Sequence, residues 1–323
     1  MRRRLIATVC AALSLSGCNA TMSRDSKEAS PLEVSSGPAT FTAEPGVKPE
    51  GRFYAVIGGE TPNDNRLYEL RLTPPSLQLM TETRRVSAVG ACRDKVIVAA
   101  GQPEVGFTDH LQQAGNGNLG PIEGFGVQPG FTPELNQRCQ MAYTWVDRST
   151  EPLIDELRVW SPDSKEAETL YRGRPGDGPL VNPDWGPEGQ VAVVRRGPEH
   201  AGSMPAGTPA GRSAAIVVAR SDGSSFDIPL DGNPGVLAWG KRWLAVMVEP
   251  EGTLFVDVGN ARRSVLSGWY PLTWSPDGEQ LLVHDSATRR TLGVVNAADL
   301  AAAEPVGKVS GPIWDVDWLP AEG

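Results

Sequence analysis

Trp274-Ser275-Pro276-Asp277-Gly278 is a turn pentapeptide set between two apolar runs, and degraded copies of it recur along the chain. Tyr270, Leu272 and Trp274 precede it, and Leu281, Leu282 and Val283 follow it. A strand-turn-strand unit repeated every 35–55 residues or so restricts a chain to repeat architectures, and a four-stranded propeller blade has about that length. Aligned on the turn before each apolar strand, the copies fall at 89–94, 136–139, 184–189, 238–242, 274–278 and 314–320. Six copies over residues 52–323 predict an all-β fold, a six-bladed β-propeller. Between the turns lie short runs rich in Val, Ile, Leu, Tyr and Trp, separated by Gly, Pro, Asp or Asn, which is how many short strands read. Only residues 297–304 have helical composition, and they are short enough to decorate a loop.

Phase matters more than motif. Trp160-Ser161-Pro162-Asp163 imitates the repeat but falls midway between the copies at 136 and 184. It is therefore expected to join the third and fourth strands of its own blade, as Ser221-Asp222-Gly223 does one blade later. The last copy supplies a single inner strand, 313–318. Residues 53–57, 67–72 and 77–81 are expected to complete its blade, closing the ring and removing open edges. In the clean copy Pro276 presets φ, Asp277 can bond its own downstream backbone, and Gly278 supplies positive φ. The tryptophan is expected to pack where neighbouring blades meet.

The N-terminus reads as an address. Arg2, Arg3 and Arg4 precede an apolar run, residues 5–15, too short to span a bilayer, which needs about 20 residues. Leu15-Ser16-Gly17-Cys18 then resembles the lipobox of bacterial lipoproteins. That resemblance implies a signal peptide over residues 1–17 and diacylglycerol on Cys18. Residues 18–51 would form a lipidated, disordered tether, rich in Ser, Pro, Glu and Thr. The chain would sit at the extracytoplasmic face of the cell membrane, anchored through that lipid. Without Arg2, Arg3 and Arg4 the chain keeps 27 basic against 39 acidic residues, a net −12. This charge argues against nucleic acid and against electrostatic docking on anionic lipid.

Setting aside Cys10 in the signal and Cys18, Cys92 and Cys139 remain for the fold. They form either a disulfide or two buried thiols. At 47 positions apart they lack the close ligand pairs of a zinc site, and no cofactor is expected.

The Trp-Ser-Pro-Asp-Gly turn followed by an apolar strand resembles the repeat of TolB-type β-propellers. Lipobox, tether and propeller together resemble actinobacterial lipoproteins with TolB-like or kinase-associated propeller domains. The resemblance implies a binding platform whose partner is an envelope protein or other envelope component.

Catalytic signatures are sparse. No Gly-x-Ser-x-Gly elbow occurs; Gly211-Arg212-Ser213-Ala214-Ala215 lacks the second glycine and the helix. The glycine-rich stretches lack the Lys-Ser/Thr of a phosphate loop. Asp315 and Asp317 fall on one side of the final inner strand, since strand side chains alternate. With His284 they are candidate channel residues that could bind a cation or act as acid and base; otherwise the two aspartates are solvated strand or turn residues. Residues 115–130 and 197–212 are candidate contact loops. The leading reading is a membrane-anchored, non-catalytic protein- or envelope-binding scaffold. The alternatives are a channel enzyme, a lyase or hydrolase on envelope glycans, and an accessory regulator of a sensor kinase.

Overall fold

The computed structural model describes residues 38–46, 49–58, 64–101, 109–150, 153–164, 166–200, 211–260 and 262–321. The signal segment 1–17, Cys18 and the tether up to residue 37 lie outside the described residues, as do residues 201–210 of the second candidate loop.

The described chain is an all-β, six-bladed propeller: six antiparallel sheets arranged so that successive inner strands adjoin around a ring. Blade 1 runs from the inside outward as Ile313–Leu319, Arg52–Ile57, Arg66–Leu72 and Pro75–Leu79, so the two ends of the domain close the ring. Phe53 faces Trp318 and Val56 faces Asp315 in that seam. Blade 2 comprises Val86–Cys92, Lys95–Gly101, Asp109–Gly115 and Asn118–Gly120; the short strand Gln128–Pro129 also pairs with Asp109–Gly115. Blade 3 comprises Phe131–Leu135, Met141–Asp147, Ile154–Trp160 and Glu168–Arg172, and blade 4 Leu180–Trp185, Val191–Arg195, Ala215–Ala219 and Ser225–Pro229. Blade 5 comprises Asn233–Trp239, Trp243–Glu249, Gly252–Asp257 and Arg263–Leu266. Blade 6 comprises Trp269–Trp274, Gln280–Asp285, Thr291–Asn296 and Asp299–Val309.

The core is a set of layers between blades. Val191 and Val193 pack toward blade 3, whereas Ala192 and Val194 pack toward blade 5. Tyr54 and Val56 likewise face blade 2 while Phe53, Ala55 and Ile57 face blade 6. Both faces of the second strands are buried, which is why these strands read as continuous apolar runs rather than as alternation.

The repeat turn works as its chemistry dictates. Gly278 N–H donates to the Ser275 carbonyl at 2.7 Å, Glu279 N–H donates to Asp277 Oδ1 at 3.1 Å, and Gly278 has φ of +69°. The Trp274 indole N–H donates to the Ala238 carbonyl of blade 5 at 3.1 Å, and that of Trp185 to the Glu134 carbonyl of blade 3 at 3.0 Å. Residues 161–164 join the third and fourth strands of blade 3, out of phase with the repeat.

Two expectations need correction. Ordered structure begins before residue 52: Phe41–Ala43 pairs with Asp299–Val309 and adds a fifth strand to blade 6. Residues 299–304, of helical composition, belong to that long outer strand, which pairs with Thr291–Asn296 on one side; Phe41–Ala43 covers its other side only at Gly307–Val309. Pairing with Thr291–Asn296 overrides the helical preference of its alanines.

Candidate functional site

Every inner strand carries a register shift against its neighbour, at 131–134, 181–184, 234–237, 271–273, 86–88 and, in blade 1, opposite 56–57. A bulge bends its strand and re-aims the side chains beyond it, and bulges gather at barrel rims. Beyond the bulge, the residues in equivalent register are Asp317, Gly90, Glu134, Asp184, Ala238 and Thr273. Three of these six are acidic, and Asp315 lies two residues before Asp317.

The aspartates tie blades together. Asp317 accepts from the Trp318 N–H at 2.7 Å with Oδ1 and from the Ala91 N–H of blade 2 at 2.5 Å with Oδ2. Asp184 repeats the arrangement, accepting from Trp185 N–H at 2.6 Å and from Trp239 N–H of blade 5 at 2.5 Å. Asp315 accepts from Val89 N–H at 2.8 Å. Inner strands of neighbouring blades share no ladder, so these carboxylates bridge them. Burial, and after it the neighbouring charges, pushes Asp184 up to about 8 and Glu134 well above the usual carboxylate range. Burial, with Asp317 beside it, pushes Asp315 up to about 7, and burial pushes Asp317 up to about 6. The solvated setting considered for Asp315 and Asp317 is therefore replaced by a crowded, hydrogen-bonded one. Among the described residues, no three His, Cys, Asp or Glu side chains converge closely enough to hold a metal ion.

His284 is not part of this group. It sits on the second strand of blade 6, 3% exposed, with Nδ1 2.8 Å from the Asp285 carbonyl and its ring edge-on to Tyr270. Burial holds its imidazole down at about 4, so it stays neutral. Cys92 and Cys139 form a disulfide with Cα atoms 5.4 Å apart, joining blade 2 to blade 3. Glu134 and Asp184 were not singled out from sequence. The signal for Asp184 was present, since it precedes Trp185 as Asp317 precedes Trp318; Glu134 precedes Leu135, and no tryptophan marks it.

A second site lies at the outer part of the junction between blades 2 and 3. There a cleft of about 330 Å³ is lined by Phe125, Gln128, Pro129, Tyr143, Trp145, Arg158, Glu166 and Ala167. Its walls come from two irregularities in the repeat. The outer edge of blade 2 is split into Asn118–Gly120 and Gln128–Pro129, and between them residues 122–126 close a tight turn, with Gly126 N–H on the Ile122 carbonyl at 2.7 Å. Gly124 and Gly126 have φ of +77° and +80°, a conformation that favours glycine. The turn presents Phe125, which packs on Tyr143 and Trp160 with centroids 5.9 and 5.1 Å away. Trp160, from the out-of-phase imitation of the repeat, donates its indole N–H to the Ser164 carbonyl at 3.0 Å, and the Ser164 hydroxyl donates to the Glu166 carbonyl at 2.7 Å. These bonds fix the rim.

The floor is a strand face. Tyr143 and Trp145 stand two apart on one strand, and Arg158 is the direct cross-strand partner of Tyr143. The Arg158 guanidinium stacks 3.6 Å over the Trp145 ring and donates to Glu156 Oε2 at 2.8 Å. Glu156, 2% exposed, also accepts from Thr169 at 3.0 Å and Arg172 at 2.5 Å, and Arg172 reaches Asp147 at 2.8 Å. Such a network locks the rotamers of the groups above it.

No family model matches this chain, and no curated protein sequence matches it. Among solved structures, TolB from Acinetobacter baumannii superposes with a TM-score of 0.59 at 14% identity, over 84% of this chain and 67% of that one. A protein from Lactobacillus plantarum superposes with a TM-score of 0.50 at 13% identity, over 80% of this chain and 82% of its own. The tricorn protease superposes with a TM-score of 0.50 at 10% identity, over 81% of this chain and 30% of that one. Identities this low speak to fold alone, and the fold they show is a TolB-like six-bladed β-propeller.

Proposed function

We propose that this chain is an extracytoplasmic binding platform, held at the cell membrane by lipid on Cys18, that engages an envelope component through the cleft between blades 2 and 3. One observation carries the reading: the cleft is concave, aromatic and built on a locked polar network. Small-ligand sites combine apolar walls with a few fixed polar groups in this way. The axial aspartates support binding over channel catalysis, because each commits an oxygen to a backbone N–H of the next blade. An accessory role beside a sensor kinase is a special case of the same reading.

The address is tested by fractionation. Cys18→Ser is expected to move the chain from the membrane pellet to the soluble fraction, leaving the fold intact; retention in the pellet contradicts lipid anchoring. Among the described residues, no helix is long and apolar enough to cross a membrane.

A further inference from the structure

We propose that the cleft between blades 2 and 3 is a subsite for one uncharged pyranose ring of a saccharide; this rests on the binding reading above and narrows it to a ligand class. Size comes first. At about 330 Å³ the cleft lies at the small end of ligand pockets, which run from roughly 300 to 1,000 Å³. That suits a single ring better than an extended peptide. The walls come second. Aromatic faces are electron-rich, and the C–H face of a pyranose carries partial positive charge, so ring-on-ring stacking is favourable without formal charge. Trp145 lines the cleft, half-buried, and Arg158 stacked on one face of its ring holds it in place.

Charge decides against an anionic ligand. The Arg158 charge is matched by Glu156, which is itself buried, and the rim adds the carboxylate of Glu166. Polar side chains on the lining include the amide of Gln128, the carboxylate of Glu166, the hydroxyl of Tyr143 and the guanidinium of Arg158, whose Nε and one Nη already bond Glu156. Planar donors and acceptors of these types pair with neighbouring hydroxyls on a sugar edge. Because Glu156 is anchored by Thr169 and Arg172, the floor pays little ordering entropy on binding.

The test uses the full chain in detergent micelles with four probes: methyl α-mannoside, methyl β-glucoside, methyl β-galactoside and methyl β-N-acetylglucosaminide. Saturation-transfer NMR is expected to detect binding of at least one. Trp145→Ala is expected to weaken that binding at least about tenfold, equivalent to about 1.4 kcal/mol. Gln128→Ala, on the exposed rim, is expected to weaken it severalfold with an unchanged Tm. No binding by any of the four, or binding indifferent to both substitutions, overturns the proposal. A proline hexapeptide that binds at Trp145 when no glycoside does also overturns the saccharide class, yet leaves the platform reading standing. The platform reading fails separately, if envelope material cannot be captured at residue 128.

Discussion

A glycine follows the tryptophan in blades 4 and 5 because the next blade's indole lies on it. A Cβ on Gly186 would stand 2.3 Å from the Trp239 ring, and one on Gly240 would stand 2.7 Å from the Trp274 ring. Gly240→Ala therefore overpacks the seam and is expected to cost about 1–3 kcal/mol, read by chemical denaturation. Thr132 is the opposite case. It holds φ of +45° in the blade 3 bulge, where blade 4 has Asn182 at +49°. A β-branched residue is strained there and asparagine is tolerated, so Thr132→Asn is expected to stabilise by about 1 kcal/mol. The axial carboxylates set a pH dependence. Their folded pKa values lie above those of the unfolded chain, so the folded state binds protons more tightly. Their stabilising contribution is complete below about pH 4 and is lost as pH rises to about 8. Tm is thus expected to fall over this window, and Glu134→Gln, which removes one charge from the group, to flatten the fall.

At the scale of strands, the outer edge of blade 6 depends on three residues. Phe41 packs against Gly307, where a Cβ would come within 2.2 Å of the Phe41 ring. Phe41 also joins the layer formed by Phe53, Leu272 and Val309. Phe41→Ala is expected to cost about 1–2 kcal/mol, less than a fully buried phenylalanine, and to speed amide exchange from Gly307 to Val309. Losing the strand altogether would expose the edge of the outer strand at Gly307–Val309 as well, a site for aggregation. These elements also mark what sequence can tell. The repeat strands were legible because each turn residue has a local backbone reason to be there, and phase then separated Trp160 from Trp274. Phe41–Ala43 was not, because three residues carry no period; nor was the strand at 299–309, whose alanines favour helix until Thr291–Asn296 lies beside them. The cleft was invisible for a different reason. It needs Phe125 and Trp145, 20 positions apart, and becomes a site only when two blades are set side by side.

For the whole molecule, stability and site meet at one junction. The Cys92–Cys139 disulfide spans blades 2 and 3, the same pair whose outer parts form the cleft. Closing a loop of 47 positions restricts the unfolded chain by roughly 4 kcal/mol in the entropic account. Cys139→Ser is expected to lower stability by up to that amount, measured by denaturant unfolding. The ring is otherwise closed by the pairing of Ile313–Leu319 with Arg52–Ile57, so the six layers between blades form one continuous circuit. The surface of that circuit is where the functional claim stands. A photo-reactive benzophenone side chain placed at Gln128, on the cleft rim, and separately at Val265, an exposed residue on the outer strand of blade 5, puts the claim to its most direct test in intact cells. An envelope-derived adduct is expected from residue 128 and none from residue 265. No adduct at 128, or equal adducts at both positions, would contradict the claim.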